Sequence, residues 1–152
     1  MTLLIRRMIP QDLDQVVEID RASFSLPWPA RSFLHELTEN PAARCWVAEK
    51  NGSITGMIVL WLILDEVHIA TLATKAGFRR QGVADRLLMH ALTCARGEGA
   101  RRAFLEVRAG NHAAQAMYRK LGFIQDGRRM KYYKDNQEDA ILMSLEGLPE
   151  EA

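Results

Sequence analysis

The chain has 152 residues, 48% hydrophobic and 26% charged, with 20 basic against 19 acidic side chains and a net charge of +1. That length suits one domain, expected over 1–152 with a core at about 3–146, and burying roughly two thirds of the unfolded surface. Near-neutral charge argues against nucleic acid as a partner, although Arg128, Arg129, Lys131 and Lys134 form a local basic cluster. The opening apolar run breaks at Arg6, and the longest, Met57 to Leu64, is too short to span a membrane. A cytoplasmic chain away from membranes is expected, with a monomer as the simplest state. Cys45 and Cys94 suit small buried hydrophobes. His35, His68, His90 and His112 lack metal-ligand spacing, so surface or core roles and no metal are expected.

The apolar stretch 3–8 predicts a short strand. Pro10 suits the first turn of a helix carrying Leu13, Val16 and Val17, which Pro27 and Pro29 forbid from continuing. Phe33, Leu34 and Leu37 predict a second short helix, ending near Asn40-Pro41. Strands at 44–50 and 53–64 flank Asn51-Gly52, a hairpin signal. Another strand is expected at 66–74. Val83, Leu87, Leu88, Ala91, Leu92 and Ala95 then recur at helical spacing, with Gly97 or Gly99 as the stop. A strand at 102–108 precedes a helix with Asn111 as N-cap and Ala113, Met117 and Leu121 in one row. Strands at 123–133 and 138–146 close the chain. The order β-α-α-β-β-β-α-β-α-β-β is that of a mixed α/β sheet with a parallel crossover through the long helix.

At 78–87, "FRRQGVADRL" places a small-residue turn after two arginines and before that helix, a ready site for an anion. A P-loop would end in Gly-Lys-Ser/Thr, and a dinucleotide fingerprint needs three glycines. Neither fits. Arg79-Arg80-Gln81-Gly82-Val83-Ala84 fills the pattern Arg/Gln-x-x-Gly-x-Gly/Ala instead. Further on, "LEVRAGNHAAQAMYRKLGF" (105–123) joins a strand, an Asn-led helix and a tyrosine before Leu-Gly-Phe. Together these segments resemble the GCN5-related N-acetyltransferases (GNAT superfamily). "ASFSLPWPARSF" (22–33) and "KYYKDNQEDAILMSL" (131–145) narrow the likeness to its protein N-terminal acetyltransferases, RimI type, which act on the N-terminal alanine of a small-subunit ribosomal protein.

The resemblance implies a GNAT fold, an α/β architecture with about seven strands in a mixed central sheet and about four flanking helices. It also implies acetyl-coenzyme A as cosubstrate and a protein N-terminus, that of a ribosomal protein, as partner. Backbone N–H groups of Arg79, Arg80, Gln81, Gly82, Val83 and Ala84 would cradle the pyrophosphate. Thr71, Leu72 and Ala73 would pair with the pantetheine arm, and Asn111 would contact the cofactor. Glu106 stands in an otherwise apolar strand, where a carboxylate needs a reason: an arginine partner such as Arg108, or general-base work on the incoming amine. Tyr118 would supply the proton for the departing thiolate. Tyr132 and Tyr133 on one side, and Leu26, Pro27 and Trp28 on the other, would wall the peptide slot. No cysteine nucleophile is needed, so transfer is expected to be direct.

One departure stands out. "ATLATKAGF" (70–78) lacks the Asp-Pro turn of the RimI pattern and sits nearer the archaeal and eukaryotic N-terminal acetyltransferases, which accept several starting residues. Rival readings are a lysine or small-amine acetyltransferase, an RNA- or ribosome-binding module using the 128–134 cluster, and an inactive coenzyme A-binding domain.

Overall fold

A computed structural model describes residues 2–150; Met1, Glu151 and Ala152, the ends of the expected 1–152 unit, lie outside the described residues. Strand β1 (Leu4–Arg7) leads into a 3-10 turn at Pro10–Asp12 and helix α1 (Leu13–Ser23). Arg6 grips Asp12 with two hydrogen bonds of 2.8 Å each, while Asp12 accepts the Ile9 N–H at 2.9 Å. That contact fixes where the helix begins. α1 buries Val16, Val17 and Ile19, and stops before the prolines. In α2 (Ala30–Thr38) Phe33 is fully buried, Leu37 half-buried and Leu34 turned outward.

Strands β2 (Ala43–Lys50) and β3 (Ser53–Ile63) form the expected hairpin. Asn51 and Gly52 take φ of 53° and 81°, the paired left-handed geometry that a right-twisted two-residue hairpin requires. β4 (Glu66–Thr74), α3 (Val83–Gly97) and β5 (Arg102–Arg108) make the parallel crossover. α4 (His112–Lys120), β6 (Ile124–Arg129) and β7 (Ala140–Glu146) complete one seven-stranded sheet, ordered β1-β2-β3-β4-β5-β7-β6. Every neighbouring pair is antiparallel except β4–β5. One core packs α3 and α4 on one face of the sheet; a second packs α1 and α2 on the other.

Two expected details are corrected. The buried face of α4 is not the row Ala113, Met117, Leu121. Gln115 and Tyr118 are buried, Met117 and Leu121 are half-buried and Ala113 is exposed. The polar Gln115 can face inward because its amide donates to the carbonyls of Arg108 and Ala109, each at 3.0 Å. The strand expected over 123–133 stops at Arg129, because Lys131 turns to φ 53° and donates its N–H to Asp139 at 2.8 Å. Residues 130–139 are therefore a loop, including the start of the strand expected at 138–146.

Two features of β4 shape the site. Its register with β5 runs only from Glu66↔Arg102 to His68↔Phe104, after which the strands share no pairs. Opposite that divergence a bulge interrupts β3–β4: Val59 pairs with Thr71 and Leu60 with Ile69, leaving Ala70 over. The extra residue flips the alternation. Ile69 and Leu72 consequently face the α3 side, and Ala70 and Ala73 the α1 side.

Candidate active site

The parting of β4 from β5 opens a cleft of about 210 Å³. Of the residues singled out in the sequence, Leu26, Trp28, Thr71, Leu72, Glu106, Asn111, Tyr118 and Tyr133 line it. Their order in the chain gives no hint of this meeting. Ala73, next along β4, is not among the lining residues and its side chain packs in the second core. Tyr132 stands exposed at the rim, its ring edge-on to Tyr133 with centroids 5.1 Å apart.

Among the described residues no arginine forms an ion pair or hydrogen bond with Glu106. His68 donates from Nε2 to its Oε2 at 2.7 Å, a direct consequence of the last paired position, His68↔Phe104, on the parallel strands. Both side chains remain about a quarter accessible, 24% and 21%. This bond is the main reason the Glu106 carboxyl lies below its ordinary range; burial opposes it, while His68 charge, Arg129 and the Tyr132 hydroxyl add to the lowering. The rings of Trp61 and Phe104 flank the imidazole, with centroids 5.3 and 5.1 Å away. The expectation of surface or core roles for the four histidines did not include this bond of His68 to Glu106. No local pattern could have found it, because its partner lies 38 positions on.

Tyr118 packs its ring near Phe123, centroids 5.5 Å apart, and is almost fully buried. Burial first, and Tyr133 second, push its pKa above the ordinary phenol value, so the hydroxyl stays protonated. Tyr133 is likewise pushed up to about 12 by burial, although the Arg108 guanidinium lies 4.0 Å over its ring. Asp20, passed over in the sequence, also faces the cleft. It is 1% exposed, accepts the Trp28 N–H at 2.7 Å, and burial raises its carboxyl above the usual range.

The segment 79–84, expected from the sequence to hold a phosphate, lies just beyond β4. Among the hydrogen bonds of the described residues, no backbone N–H from Arg79 to Asp85 finds an acceptor; the next, from Arg86, bonds to the Gly82 carbonyl at 3.0 Å. Gly82 holds φ 80° and a Cβ there would project into open space. A run of free N–H groups around a glycine at the start of a 15-residue helix is a nest for a multivalent anion. Gly56 on β3 lets that helix start come close, since a Cβ on it would sit 2.7 Å from Val83 Cγ1. The side chains point elsewhere. Arg79 Nε donates to the Thr74 carbonyl at 3.4 Å and Gln81 to the Gly77 carbonyl at 3.1 Å. Asn111 caps α4, accepting the Ala114 N–H at 3.1 Å. These features fit a pyrophosphate-bearing cosubstrate held by main chain. Among the described residues no three His, Cys, Asp or Glu side chains gather as a metal site, and no helix is long and apolar enough to cross a membrane.

Residues 13–123 match the Acetyltransferase (GNAT) family. The chain belongs to that family. Its members use acetyl-coenzyme A, as the segment 79–84 leads one to expect. The chain is 42% identical over 139 residues to the Bacillus subtilis protein named "Putative ribosomal protein bS18-alanine N-acetyltransferase", covering 91% of this chain and 92% of that one. It is 32% identical to the ribosomal protein bS18-alanine N-acetyltransferase of Escherichia coli, covering 88% and 90%. The crystal structure of the ribosomal-protein-S18-alanine N-acetyltransferase from Escherichia coli superposes with a TM-score of 0.88 at 28% identity, over 99% of this chain and 97% of that one. Ard1 from Thermoplasma volcanium gives 0.89 at 28% identity, over 98% and 100%. The α/β GNAT fold expected from the sequence, seven strands with four helices, is the fold observed.

Proposed function

We propose that this chain moves the acetyl group of acetyl-coenzyme A to the N-terminal alanine of a ribosomal protein of the bS18 kind, by direct transfer in a ternary complex. The observation that carries the reading is Glu106, held by His68 from behind the lining, in a cleft that the buried Tyr118 also lines. The names of the relatives at 42% and 32% identity support the choice of substrate. The whole chain acts as one acetyltransferase domain, in the cytoplasm, and needs no metal.

Acetyl-coenzyme A supplies the thioester when bound. The chain's own residues do the rest. Backbone N–H groups of Arg79 to Ala84 take the pyrophosphate, with Gly82 keeping the approach open. Thr71, Leu72 and Ala73, on the part of β4 that has parted from β5, offer main chain to the amide-bearing arm, and Asn111 flanks it. Leu26 and Trp28 face Tyr132 and Tyr133 across the slot, and hold the first residue of the peptide.

Glu106 accepts the proton of the amine. The task is mild, because a peptide α-amine has a pKa of about 7.7–8.0 against about 10.4 for lysine. A carboxylate with a lowered pKa is a weak base but is always ionised, so its first role is to orient the ammonium and take its proton through water. His68 fixes the carboxylate rotamer. Tyr118, protonated at every physiological pH, donates to the departing sulfur.

The test is a set of peptides starting Ala, Ser, Met-Leu or Met-Lys, each with an internal lysine, incubated with acetyl-coenzyme A and mapped by mass spectrometry. Acetyl on the α-amine, mainly of Ala starts, is expected. Acetylation spread evenly over all starts would replace the ribosomal substrate with a broad one. Lysine modification alone would overturn the peptide half of the reading.

A further inference from the structure

The two walls of the slot come from loops far apart in the chain, 24–29 between α1 and α2 and 130–139 between β6 and β7. One side chain joins them. Arg108, at the end of β5, lines the cleft and donates to both carboxylate oxygens of Asp135 at 3.1 and 3.0 Å. The same guanidinium reaches Asn136 Oδ1 at 3.3 Å, Glu138 Oε1 at 3.2 Å and Ser25 Oγ at 3.4 Å. Ser25 closes the circuit by donating to Asp135 Oδ2. Glu138 is held in turn by the Gly110 N–H at 2.6 Å. The first wall is pinned at its far side as well, through Trp28 N–H to Asp20.

We propose that Ser25, Asp135 and Arg108 form a brace that sets the width of the peptide slot and so determines specificity for a small first residue. The inference rests on the reading of the cleft as an N-terminus site. Three observations carry it. The brace spans the walls themselves, Ser25 adjoining Leu26 and Asp135 lying two residues from Tyr133. Arg108 stacks on the Tyr133 ring, so the position of that aromatic follows the guanidinium. Its fork is occupied by carboxylates of the chain and is not left open for a substrate charge. A bulky first residue must push the walls apart, which breaks Ser25–Asp135 and loosens the fork; a methyl side chain need not. The three are positioning residues and touch no reacting atom.

The experiment compares kcat/KM for two peptides differing only in the first residue, Ala or Leu, with the wild-type protein, Ser25→Ala and Asp135→Asn. Wild type favours Ala. In both variants the Ala-over-Leu ratio falls by roughly tenfold, the scale of one or two methylenes in an apolar pocket, chiefly through a lower KM for the Leu peptide. Affinity for coenzyme A is unchanged. A variant that keeps the wild-type ratio overturns the brace while leaving the N-terminus reading intact. A wild-type protein that modifies no α-amine overturns the N-terminus reading and the brace with it; one that modifies α-amines with no preference for Ala overturns the brace and the narrow substrate while N-terminal transfer stands. Ser25→Ala removes one exposed hydroxyl and Asp135→Asn keeps the shape, so neither depends on refolding the core.

Discussion

The segment proposed to hold the pyrophosphate and the cleft proposed for the peptide adjoin along β4 but are built from different materials. The first is main chain, contiguous in sequence, and its arginine and glutamine side chains have other duties. The second is side chains from four elements and the loops beside them, with partners 38 and 110 positions apart. A backbone site needs only residues small enough, and a turn tight enough, to expose N–H groups. A side-chain site needs the whole fold in register before any partner appears. The first therefore tolerates substitution of its charged residues, whereas the second does not.

The largest effect that tests this contrast is at Glu106. Glu106→Gln keeps the shape and the contact with His68, removes the base, and lowers kcat/KM by about a hundredfold or more; coenzyme A affinity, measured by titration calorimetry, stays the same. The pH profile sharpens the point. Because the Glu106 pKa is lowered by His68, its basic form is lost only as pH falls below the ordinary carboxylate range. The wild-type rate should thus rise through about pH 7.7–8.0, the pKa of the substrate amine, and a midpoint near pH 6 would assign the base elsewhere.

Next comes Tyr118→Phe, which keeps the ring packing against Phe123 and should slow turnover by about tenfold to a hundredfold without weakening cofactor binding. Unchanged turnover would remove Tyr118 from the chemistry. At the backbone site, Gly82→Ala forces a side chain to φ 80°, costs about 1–2 kcal/mol, and weakens coenzyme A binding by about tenfold. Arg80→Ala should do far less; if it does more, the site is not main-chain after all. The smallest effect is Asn111→Ala, a lost N-cap worth about 1 kcal/mol of stability, read as a lower Tm. A parallel loss of coenzyme A affinity would show that Asn111 also serves the cofactor.

The difference between the sites also explains what the sequence revealed. The element order was legible throughout, because each helix and strand carries its own periodicity and stop signals. The segment 79–84 was legible because its chemistry is local. Glu106 and Tyr118 drew attention, one as a carboxylate in an apolar strand and the other by family position, but their surroundings did not. His68 reads as one residue of an alternating strand, and only the last β4–β5 pair brings it to Glu106. Asp20 drew no notice, because only the fold brings the Trp28 N–H back onto it. The buried face of α4 was misjudged because hydrophobicity alone cannot anticipate an inward Gln115 satisfied by two carbonyls. The bulge at Ala70, which switches the faces of β4, has no signature in "EVHIATLAT".

The short register between β4 and β5 has a mechanical side. Three paired positions are all the ladder that couples strands β1 to β4 with strands β5 to β7. Whatever lies in the gap beyond His68 and Phe104 acts as a rivet between two half-sheets. Its binding energy adds to the cohesion of the whole molecule by mass action. A ligand bound there would raise the stability of the fold with its concentration, so the Tm should climb as cosubstrate is added.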